Sequence, residues 1–168
     1  MTAQILTQER LKELFYYSPQ FGIFVWKKDS GQRAKSGSIA GTTLANRYIS
    51  IKIYGKCNLA HRLAFLYMTG EFPKNQGDHI NGVRSDNRWN NLRDVTPTEN
   101  SKNKRPQLNN KTGIPGIFWY KRERKWEVQI GVDGRPLSLG YFVDFFEACC
   151  IRKSAERKYN YHPNHGRR

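Results

Sequence analysis

The sequence predicts an α+β chain built from small modules, and three observations carry that expectation. A strand, loop, strand, helix order runs from Gly77 to the segment after Pro97. Three further strand-like runs precede a helix near the C-terminus, and a polar, basic stretch separates the two groups. At 168 residues the chain has the length of one ordinary domain or two small ones.

Thr7 is placed to cap a helix through about Tyr17, with Leu6 and Leu11 as a hydrophobic staple and Leu11, Leu14 and Phe15 as the apolar face. Phe21 to Trp26 reads as a strand, and Asp29 to Gly41 as an exposed basic loop. From Tyr48 to Tyr54, Ile49, Ile51 and Ile53 alternate with Ser50 and Lys52, and Gly55-Lys56 turns that strand back. Leu59, Leu63, Leu66 and Tyr67 recur at helical spacing between Asn58 and Thr69, with Gly70 as the stop.

Gly77 to Ile80 is then a short strand, Asn81-Gly82 a turn and Leu92 to Val95 a second strand. Thr96-Pro97-Thr98-Glu99 is a capping box with Pro at the first helical position, which puts Asn100 in a helix's opening turn. Asn103 to Asn110 has the composition of an extended basic linker. Beyond it, Ile117 to Lys121, Lys125 to Val132 and Arg135 to Leu139 form a three-stranded antiparallel sheet, with Asp133-Gly134 as a hairpin turn. Trp126, Val128, Ile130 and Val132 share one face. Asp144 and Glu147 box the start of a helix whose Ala148, Ile151, Ala155 and Tyr159 face inward. Asn160 to Arg168 reads as a polar, frayed tail.

A net charge of +15, a pI near 10.0 and 13% aromatic residues point to a polyanionic partner, because clustered Lys and Arg displace counterions from phosphates. No apolar run approaches the roughly 20 residues of a spanning helix, and the N-terminus has no signal-peptide core, so a soluble intracellular protein with no membrane partner is expected. Cys57, Cys149 and Cys150 are expected as reduced thiols, and without any C-x-x-C no structural zinc is expected.

The chemistry concentrates in Asp78-His79-Ile80-Asn81-Gly82, followed by Asn91 and Asn100. Hydrolysis of a phosphodiester needs charge neutralisation on the phosphate, a base for the attacking water and help for the departing oxygen. Asp78 and Asn100 offer hard oxygen ligands suited to magnesium or manganese, and a neutral His79 can take the water's proton. Adjacent strand residues point to opposite faces, so Asp78 and His79 reach one phosphate only from two sides or through a distorted backbone. Arg62, Arg84, Arg88 and Arg93 are candidate phosphate clamps, as are Lys104 and Arg105 in the linker.

On these residues, about 58–104 resembles the HNH nuclease family, in particular its phage and intron-encoded homing branch. The resemblance implies a ββα-metal unit that binds one divalent ion, Mg2+ or Mn2+. It implies His79 as general base, Asp78 as metal carboxylate, Asn91 as the residue that orients the base and braces the loop, and Asn100 as the last ligand position. His61 also falls on a recurrent family position, but a histidine on a packed helix is read as structural rather than catalytic.

Thr112-Gly113-Ile114-Pro115-Gly116-Ile117, Lys125-Trp126, Leu139-Gly140-Tyr141-Phe142 and Glu147-Ala148 resemble the Apetala-two/ethylene-response-factor DNA-binding domain. That family lays a three-stranded sheet in the major groove. On the residues themselves, the exposed face is expected to carry Lys121, Arg122, Arg124, Lys125, Glu127, Gln129 and Arg135. Trp119 or Tyr120 is free to stack on DNA, and Trp126 is in the core.

The expected layout is an N-terminal α/β extension over 1–57, a catalytic unit over 58–104, a basic linker over 105–111 and a DNA-binding domain with polar tail over 112–168. The expected function is a monomeric, metal-dependent endonuclease acting on double-stranded DNA, in the host cytoplasm if phage-encoded. The rival reading is a catalytically silent DNA-binding protein on the same scaffold, and an RNA-directed module stands third.

Overall fold

The computed structural model describes residues 5–32, 34–103 and 110–166, and the chain falls into two compact units, 1–95 and 96–168. Lys104, Arg105 and most of the expected linker lie outside the described residues. Among the described residues the architecture is mixed α+β, with four α-helices and several small antiparallel sheets. The division between units falls elsewhere than the motif-based boundaries, because the helix after Thr96 is held by the C-terminal segment: Lys102 Nζ donates to Tyr159 O at 2.9 Å.

The first unit opens with α1 (Gln8–Leu14), capped by Thr7, and passes directly into β1 (Phe15–Ser18). The expected helix through Tyr17 is therefore too long. Phe15 and Tyr17 are buried while Tyr16 is exposed, the period-2 pattern of a half-buried strand, and aromatic residues favour that setting over a helix. β1 pairs with β2 (Ile23–Trp26), and β2 pairs with β3 (Ile39–Ala40), a strand that the expected basic loop conceals. A second sheet joins β4 (Thr42–Thr43), β5 (Ile49–Ile53) and β6 (Lys56–Leu59). Asn58 and Leu59 pair with Ile51 and Ser50, so α2 begins only at Ala60 and runs to Thr69, ending on Gly70 in the left-handed region.

Leu11, Phe15, Phe24, Trp26, Ile51, Leu63 and Leu66 are among the residues of the first core. Burying such side chains contributes about 1.5–3 kcal/mol each. Against this core stand β7 (Gln76–His79) and β8 (Leu92–Val95), an antiparallel pair in which Asp78 faces Arg93 and His79 faces Leu92.

The second unit starts with α3 (Pro97–Ser101), whose capping box is complete: Thr96 accepts from the Glu99 N–H and Glu99 accepts from the Thr96 N–H. β9 (Ile117–Tyr120), β10 (Lys125–Val132) and β11 (Arg135–Phe142) form the expected antiparallel sheet in the order β11-β10-β9. α4 (Phe145–Lys158), capped by Asp144, packs on it around Ile117, Val128 and Ala148.

Two expectations are corrected here. Ile151 is 36% exposed and Arg152 is the buried neighbour, because Arg152 donates to Pro115 O (2.8 Å) and Gln129 O (3.1 Å) and pairs with Glu156. The tail is also not frayed as far as Gly166: Tyr161 donates to Gly131 O at 2.8 Å, and buried His165 lies 3.3 Å from Arg152 Nη2.

Candidate active site

The β7–β8 pair and the connection between its strands carry three of the four residues predicted for catalysis and metal binding, Asp78, His79 and Asn91. Asn91 closes this loop with both ends of its carboxamide. Its Oδ1 accepts from Asn81 N (3.0 Å), and its Nδ2 donates to Asn81 Oδ1 (3.1 Å) and to Asp86 O (2.8 Å). The Asn91 carbonyl also accepts from Ile80 N at 2.9 Å. A buried carboxamide that meets this many loop groups fixes the loop's path, since each group left unpaired would cost free energy.

His79 is 3% exposed, and its Nε2 lies 3.1 Å from Asn87 Oδ1. Asn87 is itself 2% exposed, and its Nδ2 donates to Ser85 O, which leaves Oδ1 as the atom turned toward the imidazole. Nε2 is therefore the protonated nitrogen of a neutral ring, and the basic lone pair resides on Nδ1. Burial pushes the His79 pKa below its ordinary value, against the opposing influence of Asn87, Asp78 and Asp86. The ring thus stays neutral at physiological pH.

Asn87 is a functional candidate that the sequence alone does not reveal. Its backbone is pinned from the N-terminal hairpin: Tyr17 donates to Asn87 O at 2.7 Å, and Trp89 N donates to Pro19 O at 2.9 Å. Gly22, at φ +69°, packs so closely that a Cβ there would lie 2.3 Å from Arg88 N. No local pattern announces these contacts, and a buried Asn in a polar loop looks like any turn residue.

Asp78 is half-buried, and its Oδ2 accepts from Arg93 Nη2 (2.9 Å) and Nε (3.1 Å). Arg88 is held by Asp86 at 2.6 and 2.8 Å, and this contact above all brings the Asp86 pKa down to about 2. Arg84 is exposed, with its guanidinium 5.0 Å from the Tyr48 ring, and exposed Arg62 lies 5.5 Å from the ring of Phe72. His61 is 5% exposed and stands edge-on to His79 with ring centroids 5.0 Å apart. Burial, then His79 and Arg62, bring its pKa down to about 4, which suits the packed neutral histidine that the sequence implies. Gly77 leaves it room, since a Cβ there would lie 2.9 Å from His61 Cδ2.

Asn100 stands in α3 of the second unit, where its N–H donates to Thr96 O. Among the described residues no group of three or more His, Cys, Asp or Glu is gathered as a metal cage.

In the second unit, Lys121, Arg122 and Arg124 are exposed in the turn between β9 and β10 rather than across the sheet. Lys125 lies 3.6 Å from Glu123, Gln129 donates to Glu127, and Arg135 is exposed at the start of β11. Trp119 faces Trp126 in register, their rings 4.8 Å apart on the helix side of the sheet. Trp126 is partly buried against the core. Phe118, Glu127 and Tyr141 are neighbours in register on the other side, with the Tyr120 ring 5.6 Å from that of Tyr141. The open face is therefore aromatic around a carboxylate, with its cations at the rim.

Comparison with known proteins finds similarity to one family and one phage protein. Residues 58–102 match the family model described as HNH endonuclease. Protein 3.8 of Escherichia phage T7 is 30% identical over 87 residues, covering 51% of this chain and 72% of that protein. No solved structure matches the chain significantly. Among the described residues no helix is long and apolar enough to cross a membrane. The HNH match supports a nuclease-type function, a family chemistry that acts on DNA and generally uses a divalent metal. The chain belongs to the family of phage T7 Protein 3.8 and carries an HNH endonuclease domain over residues 58–102.

Proposed function

We propose that the chain is a metal-dependent endonuclease that hydrolyses phosphodiester bonds in duplex DNA, of the phage or mobile-element homing type. The observation that carries this reading is the imidazole of His79, buried, held by Asn87 and next in the strand to Asp78, whose charge acts on it. His79 takes the proton of the attacking water at Nδ1. Asn87 holds the tautomer that makes Nδ1 basic, and Asn91 keeps the loop that presents Asn87 closed. Asp78 supplies the carboxylate for the metal, and the family resemblance assigns a second oxygen ligand to Asn100. A bound divalent ion would neutralise charge on the phosphate and the departing oxygen. Arg84 and the other exposed cations hold the strand.

A supercoiled plasmid incubated with Mg2+ tests the reading, with and without a chelator and beside a duplex RNA. Conversion to open-circular or linear DNA that the chelator stops is the expected result, with the RNA left whole. The Asp78–Arg93 ion pair favours one rival, a DNA-binding protein on a silent scaffold, because it engages one oxygen of the carboxylate the metal needs. Binding without any cleavage in that assay would establish the rival instead.

The C-terminal unit acts in this reading as the DNA-binding module. Its contacts come from the Lys121, Arg122 and Arg124 turn, with Lys125, Gln129, Arg135 and the aromatic face beside it. Replacing Lys121, Arg122 and Arg124 together by Ala is expected to weaken binding. The salt dependence should flatten by about 0.9 in log–log slope for each phosphate that the variant no longer neutralises. Fluorescence anisotropy over a salt series measures both, and an unchanged slope would remove this turn from the interface.

A further inference from the structure

Tyr48 lies in the turn between β4 and β5, far from the nuclease motif in sequence, yet its half-buried ring meets three groups of the site. Its centroid is 5.3 Å from that of His61 and 5.9 Å from that of His79, and the Arg84 guanidinium sits 5.0 Å from it on a cation–π contact. Arg84 is tied to the same turn, since its Nη1 donates to Asn46 O at 3.2 Å. The turn is itself closed by Leu44 N to Tyr48 O (2.8 Å) and Arg47 N to Leu44 O (2.8 Å), with Arg47 at φ 66°. One aromatic ring on a fixed turn thus braces the proposed base on one side and an exposed cation on the other.

We propose that Tyr48 is a positioning residue of the nuclease site, which together with His61 holds the His79 ring in place through direct contact, and which itself holds Arg84 where a phosphate of the DNA strand lies. This rests on the nuclease reading. The physical reason is orientation: the hydrogen bond at Nε2 fixes the His79 tautomer, whereas the plane of the ring is set by what packs on its faces and edges. His61 and Tyr48 supply that packing. Arg84 is a long, flexible side chain on an exposed loop. Its cation–π contact with Tyr48 and its hydrogen bond to Asn46 O remove rotamer freedom before DNA arrives.

The test compares Tyr48→Leu, Tyr48→Phe and Arg84→Lys in the full chain, with thermal melting to confirm folding, on a plasmid with Mg2+ at saturating and limiting DNA. Tyr48→Leu is expected to lower kcat roughly 10-fold or more and raise KM severalfold, because misplacing a reacting group by about an ångström is costly. Tyr48→Phe keeps the ring and is expected to restore both constants. Arg84→Lys keeps the charge but loses the guanidinium that reaches both the Tyr48 ring and Asn46 O, so KM rises severalfold while kcat holds. Wild-type kcat in a folded Tyr48→Leu protein overturns the proposal. So does a Tyr48→Phe protein with kcat lowered roughly 10-fold or more from wild type, or an Arg84→Lys protein with unchanged KM, and these two variants decide the matter if Tyr48→Leu does not fold. A wild-type chain that cuts nothing, or a His79→Ala chain that cuts normally, sinks the nuclease reading itself and is recognised separately.

Discussion

Replacing His79 by Ala is expected to abolish plasmid cleavage while leaving DNA affinity within a factor of about two, because the substitution removes a proton acceptor and no phosphate contact. A positioned general base is worth about 10²–10⁴-fold in rate. The upper end applies here, since the buried ring is oriented by Asn87 and enclosed by His61 and Tyr48. His61 is the neighbouring imidazole, but at 5% exposure and with a pKa near 4 it is packed against α2's neighbours rather than turned outward, and it does not replace the base. Truncation also leaves a hole, so the melting temperature must be followed beside the rate. A folded His79→Ala protein that cuts at the wild-type rate would remove His79 from the chemistry.

What the sequence made legible about this fold is what a few consecutive residues encode. The Thr96–Glu99 capping box, the Asp144 cap, the left-handed Gly70 at the end of α2 and the Asp133-Gly134 turn are local contests between backbone conformations. Each is decided within one turn of chain. The β5–β6 hairpin through Tyr54 and Gly55, both at positive φ, belongs with them. Boundaries failed where two local codes compete. Phe15 to Tyr17 is acceptable as either a last helical turn or a strand, and pairing with Ile23 to Trp26 decides for the strand. Ile151 and Arg152 exchange places for a different reason. An apolar pattern marks Ile151 as inward, but the carbonyls of Pro115 and Gln129 satisfy an Arg at the neighbouring position.

The candidate site divides along the same line. Asp78, His79 and Asn91 are visible because one short segment holds them all. Asn87 is not, because its role depends on Tyr17, 70 positions away, and on a glycine at 22 that lets the hairpin touch its backbone. Tyr48 is hidden likewise: as the first residue of an alternating strand it looks like a packing residue, and only the folded turn brings it beside His79.

Replacing Asn91 by Ala is expected to cost the nuclease nearly as much as losing His79, through a different route. The side chain is buried and serves three partners in the loop between β7 and β8: Asn81 N, Asn81 Oδ1 and Asp86 O. Asn81 and Asp86 are themselves linked by a hydrogen bond of 2.7 Å, so all of them share one network. Removing the centre leaves at least one loop group buried without a partner, at roughly 1–3 kcal/mol each, while water can serve the more exposed ones. A stability loss of roughly 2–3 kcal/mol follows. The activity loss should exceed what the unfolded fraction explains, because Asn87 sits in the same loop and would no longer hold the His79 tautomer. Urea titration gives the first quantity, and cleavage per folded molecule gives the second. Asn91→Asp separates the two effects: its carboxylate still accepts from Asn81 N but cannot donate to Asp86 O, so it should fall between Ala and wild type in stability while remaining poor in cleavage. Cleavage per folded molecule at the wild-type level in Asn91→Ala would show that the loop holds its shape without this residue, and that the orientation of the base does not depend on it.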